Sequence, residues 1–208
     1  MGSKERRDRE REDTRRRILE AARTMFVRNG YEATTMRAIA KEVEYTPTAI
    51  YHHFKNKDAL LTELCTIDFR SLAAAFLRIG QVADPVERIK KIGAAYVEFA
   101  QSHPMQYQLM FMTRRPDGVT VDSSVMKGDP SQDAYAFLRQ ACAEAISTGR
   151  IRSDVNDPDL MAQMVWSAQH GLISLQIVKE HELDWRDLSL SARHLGDTMM
   201  RGLLKNPQ

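Results

Sequence analysis

The sequence predicts an all-α fold of about nine helices. Over most of the chain, apolar residues recur at the three- and four-residue spacing that gathers them on one helical face. Several of these runs open on a capping Thr or Asp followed by Pro, and several close on Gly or a polar cluster. No segment alternates apolar and polar residues as a half-buried strand requires.

The elements follow in order. Residues 1–13 form a charged arm, KERRDREREDTRRR running through it into the first helix. In TRRRILEAARTMFVRNG, Ile18, Ala21, Ala22, Met25 and Phe26 share a face, and Gly30 supplies the C′ position. TTMRAIAKEV starts from a Thr cap and presents Met36, Ile39, Ala40 and Val43. After a break at Glu44 and Tyr45, Thr46 caps a third helix running to about Phe54. Its first residue is Pro47, where no N–H is needed. Asn56 or Lys57 opens a long fourth helix to about Gly80. Asp84-Pro85 opens a fifth to about Ser102, and His103-Pro104 a short sixth. TRRPDGVTVDSSVMKGDP reads as a loop. Helices follow over Ser131–Thr148, from the Asp157-Pro158 cap to about Lys179, and over Trp185–Leu204.

Composition narrows the function. With 43% hydrophobic residues in 208, a packed core is available. No uninterrupted apolar run approaches about 18 residues, which excludes a spanning helix, and the charged N-terminus lacks a secretory h-region. Cys65 and Cys142 lack a Cys-x-x-Cys spacing and read as two buried thiols. The expectation is a cytoplasmic protein without membrane contact. Residues 1–61 carry 14 Lys/Arg against 10 Asp/Glu, and the remainder 16 against 18. A basic head on a mildly acidic body points to a polyanion partner for the head. No P-loop, dinucleotide-binding glycine turn, Gly-x-Ser-x-Gly or His-Glu-x-x-His is present, so no catalytic residues and no cofactor are assigned. His52 and His53 are adjacent and point to different helix faces, so they are not read as a metal pair.

Two short helices joined by a tight turn and backed by a longer one have the proportions of a helix-turn-helix. Its second short helix enters the major groove. Small polar residues suit the tip, here Thr46 and Thr48, and donors suit the flanks, here Tyr51, His53 and Lys57. The stretch RRRILEAARTMFVRNGYEATTMRAIAKEVEYTPTAIYHHFKNKDALL also resembles the DNA-binding domain of TetR-family transcriptional repressors, over about 45 continuous residues. The resemblance implies that Thr35 caps the second helix and contacts phosphate, and that Arg37 contacts base or phosphate. It also implies that Thr46, Pro47 and Thr48 form the base-facing tip, and that Tyr51, His53 and Lys57 meet phosphates while His52 faces the groove. One departure is Glu44, where the family usually carries glycine; left-handed backbone there costs a non-glycine residue on the order of 1 kcal/mol. The charged arm is either a solvated run or a minor-groove contact.

WSAQHGLISL is similar to the C-terminal domain of a TetR subgroup with a Trp-His-Gly signature, here Trp166, His170 and Gly171. The resemblance implies a homodimer through the last two helices. Their apolar stripes are Leu160, Met164, Ala168, Leu172 and Leu175, and Leu188, Ala192, Leu195, Met199 and Leu203. Either stripe reads equally as internal core. Asp58–Thr148 would be the sensor. Candidate ligand-binding residues are Phe69, Phe76, Tyr96, Phe99, Tyr107, Met110, Phe111 and Tyr135, with Trp166 and His170. Each reads also as plain core. The expected organisation is therefore a charged arm (1–13), a helix-turn-helix DNA-binding domain (14–60) and a helical ligand-binding and dimerisation domain (61–208). The expected partners are a double-stranded DNA operator, a small-molecule effector and a second copy of the chain. A regulator without a small-molecule inducer, or an activator, fits the same residues.

Overall fold

The structure, a computed structural model, describes residues 3–116 and 127–205, so the centre of the expected loop at 113–130 lies outside the described residues. Nine helices are present among them and no strands. They are α1 (Ser3–Asn29), α2 (Met36–Glu42), α3 (Pro47–Tyr51), α4 (Lys57–Leu77), α5 (Pro85–Ser102), α6 (Pro104–Phe111), α7 (Ala134–Ser147), α8 (Pro158–Val178) and α9 (Leu188–Leu203). No described helix is long and apolar enough to cross a membrane.

The caps read from sequence are in place. Thr35, Thr46, Asp84 and Asp157 each accept from a backbone N–H of the first turn, and Asp133 and Asp187, which the sequence reading did not name, do the same for α7 and α9. Gly30 (φ 81°) and Gly149 (φ 72°) occupy the left-handed positions that end α1 and α7. Boundaries shift in four places. The charged arm is helical from Ser3, since no Gly or Pro interrupts it and Arg6–Glu10 and Asp13–Arg16 pair across single turns. α3 stops at Tyr51, because the chain must turn before Asn56, whose Oδ1 accepts from Ala59 N at 2.8 Å. α7 begins at Ala134 rather than Ser131, and α9 at Leu188 rather than Trp185. The Trp185 indole instead donates to the Lys179 carbonyl at 2.8 Å.

The chain divides into two compact units. The first holds residues up to Asp68 and the segment from Met105; the second holds Phe69–Pro104 and the described residues from 127 onward. In the first, Ile18, Ala22, Phe26, Ile39, Ile50, Phe54, Leu60, Leu61 and Leu64 are buried. Each large one contributes about 1.5–3 kcal/mol. A buried ion pair, Arg23 with Asp68, joins α1 to α4 within this core. In the second unit α5 packs against α7, α8 and α9, and α7 against α8. Its core includes Ile89, Ile92, Val97, Leu138, Met161 and Ile173. Ile151 pairs with Leu204 in an isolated antiparallel bridge that ties the end of α9 to the segment after α7. Cys65 and Cys142 are buried free thiols, as read from sequence, and burial pushes them up to about 11 and about 12.

Candidate nucleic-acid interface

The turn between α2 and α3 decides how α3 is presented. Glu44 has φ 61°, the left-handed value that glycine usually supplies. Glu44 N donates to Lys41 O at 3.2 Å and Tyr45 N to Ala40 O at 2.9 Å, the paired bonds of a Schellman end. The turn is therefore kept, and the strain of a side chain at that φ is carried. Tyr45 then pins the turn to α1: its hydroxyl lies 3.4 Å from Thr14 Oγ1, and the Arg17 guanidinium sits 5.6 Å from its ring.

α3 is short and two-faced. Ile50 is fully buried, whereas Thr46, Pro47, Thr48, Tyr51 and His52 are exposed, Tyr51 by 54%. Thr35 and Arg37 on the α2 side are exposed too. These seven expected residues are therefore all exposed. Lys41 and Lys55, which the sequence reading left aside, are exposed as well. Lys41 lies four residues after Arg37 on α2, so the two cations share a face.

Two of the nine expected residues are turned inward. Lys57 Nζ lies 2.8 Å from Tyr31 O, 3.2 Å from Thr34 O and 3.4 Å from Glu32 O, and 4.0 Å from the Tyr31 ring centroid. With three donors on an ammonium, this lysine ties the α1–α2 loop to the start of α4. His53 is part-buried, and its Nδ1 is enclosed with no hydrogen-bond partner among the described residues. Burial, with the nearby positive charges of Arg11 and Arg15 and the neighbouring His52, holds its pKa below the usual histidine value. The partners that hold Lys57 lie 23–26 residues earlier along the chain, beyond what local spacing shows.

The surface has a stiff backing. Arg15 donates to the His53 carbonyl at 2.8 Å, pairs with Glu63, and stacks 4.2 Å from the Phe54 ring centroid. One side chain thus fixes α1, the end of α3 and α4 together. Tyr31 donates to the Asp58 carboxylate at the start of α4.

The second unit gathers some of the expected ligand residues. The Trp166 indole donates to the Tyr96 hydroxyl at 3.1 Å, and that hydroxyl lies 3.3 Å from His170 Nδ1. Burial lowers the His170 pKa. Tyr135 stands 6.0 Å from Trp166, ring to ring, and bonds Asp159 at 3.2 Å. Phe76 and Phe99 are buried and Phe69 is part-buried in the same unit, while Tyr107, Met110 and Phe111 belong to the first. A cavity of about 490 Å³ lies in the second unit among α5, α8 and α9, and none of the ten candidates lines it.

The dimer candidates also separate. On α8, Leu160, Met164 and Leu175 are exposed, and Ala168 and Leu172 are half-buried. A Cβ added at Gly171 would meet nothing within 4 Å among the described residues, so no described helix crowds that glycine. On α9, Leu188, Leu195 and Met199 are half-buried, but Ala192 and Leu203 are buried in their own unit and belong to its core.

Comparison with known proteins extends the picture to both halves. Residues 18–64 match the family described as bacterial regulatory proteins, tetR family, and residues 89–199 match the tetracyclin repressor-like C-terminal domain. The HTH-type transcriptional regulator YhgD of Bacillus subtilis is 26% identical over 187 residues, covering 80% of this chain and 96% of that protein. Among solved structures, the TetR family regulator PfmR of Thermus thermophilus superposes with a TM-score of 0.71 at 23% identity, covering 91% of this chain and 97% of that one. FadR from Bacillus subtilis, solved in complex with stearoyl-CoA, superposes with a TM-score of 0.71 at 18% identity, covering 90% and 98%. The C-terminal match carries the family and not the Trp-His-Gly subgroup. Since the N-terminal match spans the helix-turn-helix and the C-terminal match alone exceeds half the chain, this chain is a member of the TetR family, helix-turn-helix transcriptional regulators that bind DNA and are not enzymes.

Proposed function

We propose that the protein is a ligand-responsive repressor, a homodimer that holds a palindromic operator and releases it when a small apolar or amphipathic molecule binds the second unit. The observation that carries this reading is the exposure of Thr46, Pro47, Thr48 and Tyr51 on a helix whose other face is locked into the core by Ile50. Thr48 faces bases; Thr35, Arg37 and Tyr51 hold phosphates, joined by Lys41 and Lys55. Base contacts specify and phosphate contacts position.

Dimerisation follows from what α8 leaves uncovered. Leu160, Met164, Ala168, Gly171, Leu175 and Val178 recur every three or four residues, and the large ones are exposed. Gly171 gives up about 1 kcal/mol of helix stability relative to Ala without any neighbour among the described residues that needs the space. The α8 of a second copy, approaching at Ala168 and Gly171, supplies the reason. Two recognition helices then read half-sites about 34–36 Å apart.

Release follows from α4, which begins in the first unit at Lys57 and continues past Asp68 into the second. A ligand that prefers a conformer with α4 displaced takes the heads out of register, acting only through its differential affinity for the two conformers. About 1–3 kcal/mol of coupling changes operator affinity by roughly 5–150-fold. That FadR of Bacillus subtilis was solved with stearoyl-CoA supports a small-molecule trigger in this fold. The test is selection of bound sequences from random duplexes, followed by a ligand screen for release. A palindromic site freed by a small molecule is expected; a tight site that no ligand in a broad screen loosens removes the sensor half of the reading.

A further inference from the structure

The first turns of α1 carry a charge pattern that the helix-turn-helix core does not use. Lys4, Arg7 and Arg11 recur at a spacing of three and four residues, so they lie on one face of the helix. The same spacing continues through Thr14 to Ile18 and Ala22, both fully buried. The stripe is thus the core-facing side of α1, prolonged past the point where the core ends. Apolar residues occupy that side where protein covers it. From Lys4 to Arg11 every residue is exposed, and there the side is cationic. Its charges are uncommitted: among the described residues no ion pair engages Lys4, Arg7 or Arg11, and Asp8 at the edge of the stripe pairs with none of them. The arginines off the stripe are held within α1 instead, Arg6 by Glu10 at 3.6 Å, Arg16 by Asp13 at 2.9 Å and Arg9 by the Glu5 carbonyl at 3.4 Å. An open groove then links the stripe to α3: Glu10, Arg11 and Thr14 line it from α1, and His52 and His53 from the end of α3. Arg11 therefore shares a groove with His52, an exposed residue at the end of the recognition helix.

We infer that Lys4, Arg7 and Arg11 bind the sugar-phosphate backbone of the duplex flanking each half-site, with Arg11 nearest α3 and Lys4 farthest out. Three cations that face one way without acid partners match a polyanion of regular charge spacing. Lys4 to Thr14 spans about 15 Å of helix, roughly four base pairs at about 3.4 Å each. Contacts to phosphates position a protein without reading bases, so the stripe lengthens the footprint and adds no sequence preference. The inference deepens the DNA-binding reading above and rests on it: the exposed face of α3 specifies the site, and the stripe holds the duplex outside it.

The test uses the full-length protein and an operator selected from random duplexes, in two lengths. One duplex ends at the outer edges of the site, and the other carries about eight further base pairs of arbitrary sequence on each side. By fluorescence anisotropy the unaltered protein should bind the longer duplex about tenfold or more tighter at moderate salt. Lys4→Gln, Arg7→Gln and Arg11→Gln combined should remove that difference. On the longer duplex they should also lower the slope of log affinity against log salt by at least about 1.8, one contact in each of two copies. Arg6→Gln, Arg9→Gln and Arg16→Gln combined remove equal charge from the other faces of α1 and should keep the difference. Equal affinity of the unaltered protein for the two duplexes overturns the inference without recourse to any variant, and so does a match between the two triple variants. A preference for A·T over G·C flanks would place the side chains in the minor groove and overturn the backbone assignment. If the unaltered protein selects no sequence at all, the regulator reading fails and the inference falls with it; a selected operator indifferent to its flanks removes the inference alone.

Discussion

Replacing Gly171 by Leu separates the stability of one chain from the stability of the pair. Within one copy nothing among the described residues lies within 4 Å of a Cβ at this position, so the new side chain meets open space. The change from Gly to a strong helix former in mid-α8 should stabilise the chain itself by about 0.5–1 kcal/mol. At a two-fold axis the same substitution enters twice, and each added side chain overfills a close helix contact at about 1–3 kcal/mol. The pair therefore loses about 2–6 kcal/mol, and at 1.4 kcal/mol per decade the smaller figure already raises the dimer dissociation constant roughly 30-fold. Sedimentation velocity across a dilution series reads the association, and helical circular dichroism during heating reads the fold. A weakened dimer of undiminished helicity is the expected result. Unchanged association would place the interface elsewhere, and the reasoning from Gly171 would be wrong.

Other substitutions probe the head and the pH response. Glu44→Gly removes the strain of a side chain at φ 61° and should stabilise the first unit by about 0.5–1 kcal/mol in urea unfolding; a loss of stability would mean that the turn depends on the glutamate itself. Asp68→Ala removes the buried carboxylate of Arg23 and leaves it only the exposed Glu20, 3.3 Å from its Nε; this should cost about 3–5 kcal/mol, whereas Arg23→Met with Asp68→Leu should cost clearly less, and equal losses would show the pair to be net stabilising. His53 and His170 both have lowered pKa values because burial disfavours their charged forms. Between an unfolded value of about 6.5 and those lower folded values, the unfolded chain binds more protons. Stability is therefore full above about pH 6.5 and declines as pH falls through the window. Melting temperatures between pH 8 and 5 should show the decline, and His53→Gln with His170→Gln should flatten it.

What was legible in the sequence was whatever depends on near neighbours. Thr46 and Pro47 state the start of α3 because a cap and an N1 proline act within one turn, and Gly30 and Gly149 state helix ends because φ is a property of one residue. Glu44 was legible as an anomaly, though not its outcome: only the Schellman bonds to Ala40 and Lys41 show that the turn was kept. What depends on partners far along the chain was not legible. Lys57 has the spacing of a phosphate contact, yet its ammonium goes to carbonyls 23–26 residues earlier. The aromatic residues of the middle segment carry no mark that separates wall from core, which is why the candidates miss the α5–α8–α9 cavity.

The most direct measurement is operator binding by Thr48→Ala and Tyr51→Phe beside the unaltered protein, on a selected site and on scrambled duplex, across a salt series. Thr48→Ala should cost about 1–3 kcal/mol on the selected site and relax its preference at the contacted base pair. Tyr51→Phe should weaken both duplexes alike, as loss of a phosphate contact does. If both variants keep full affinity and the same preference while folding normally, the exposed face of α3 is not what reads the DNA.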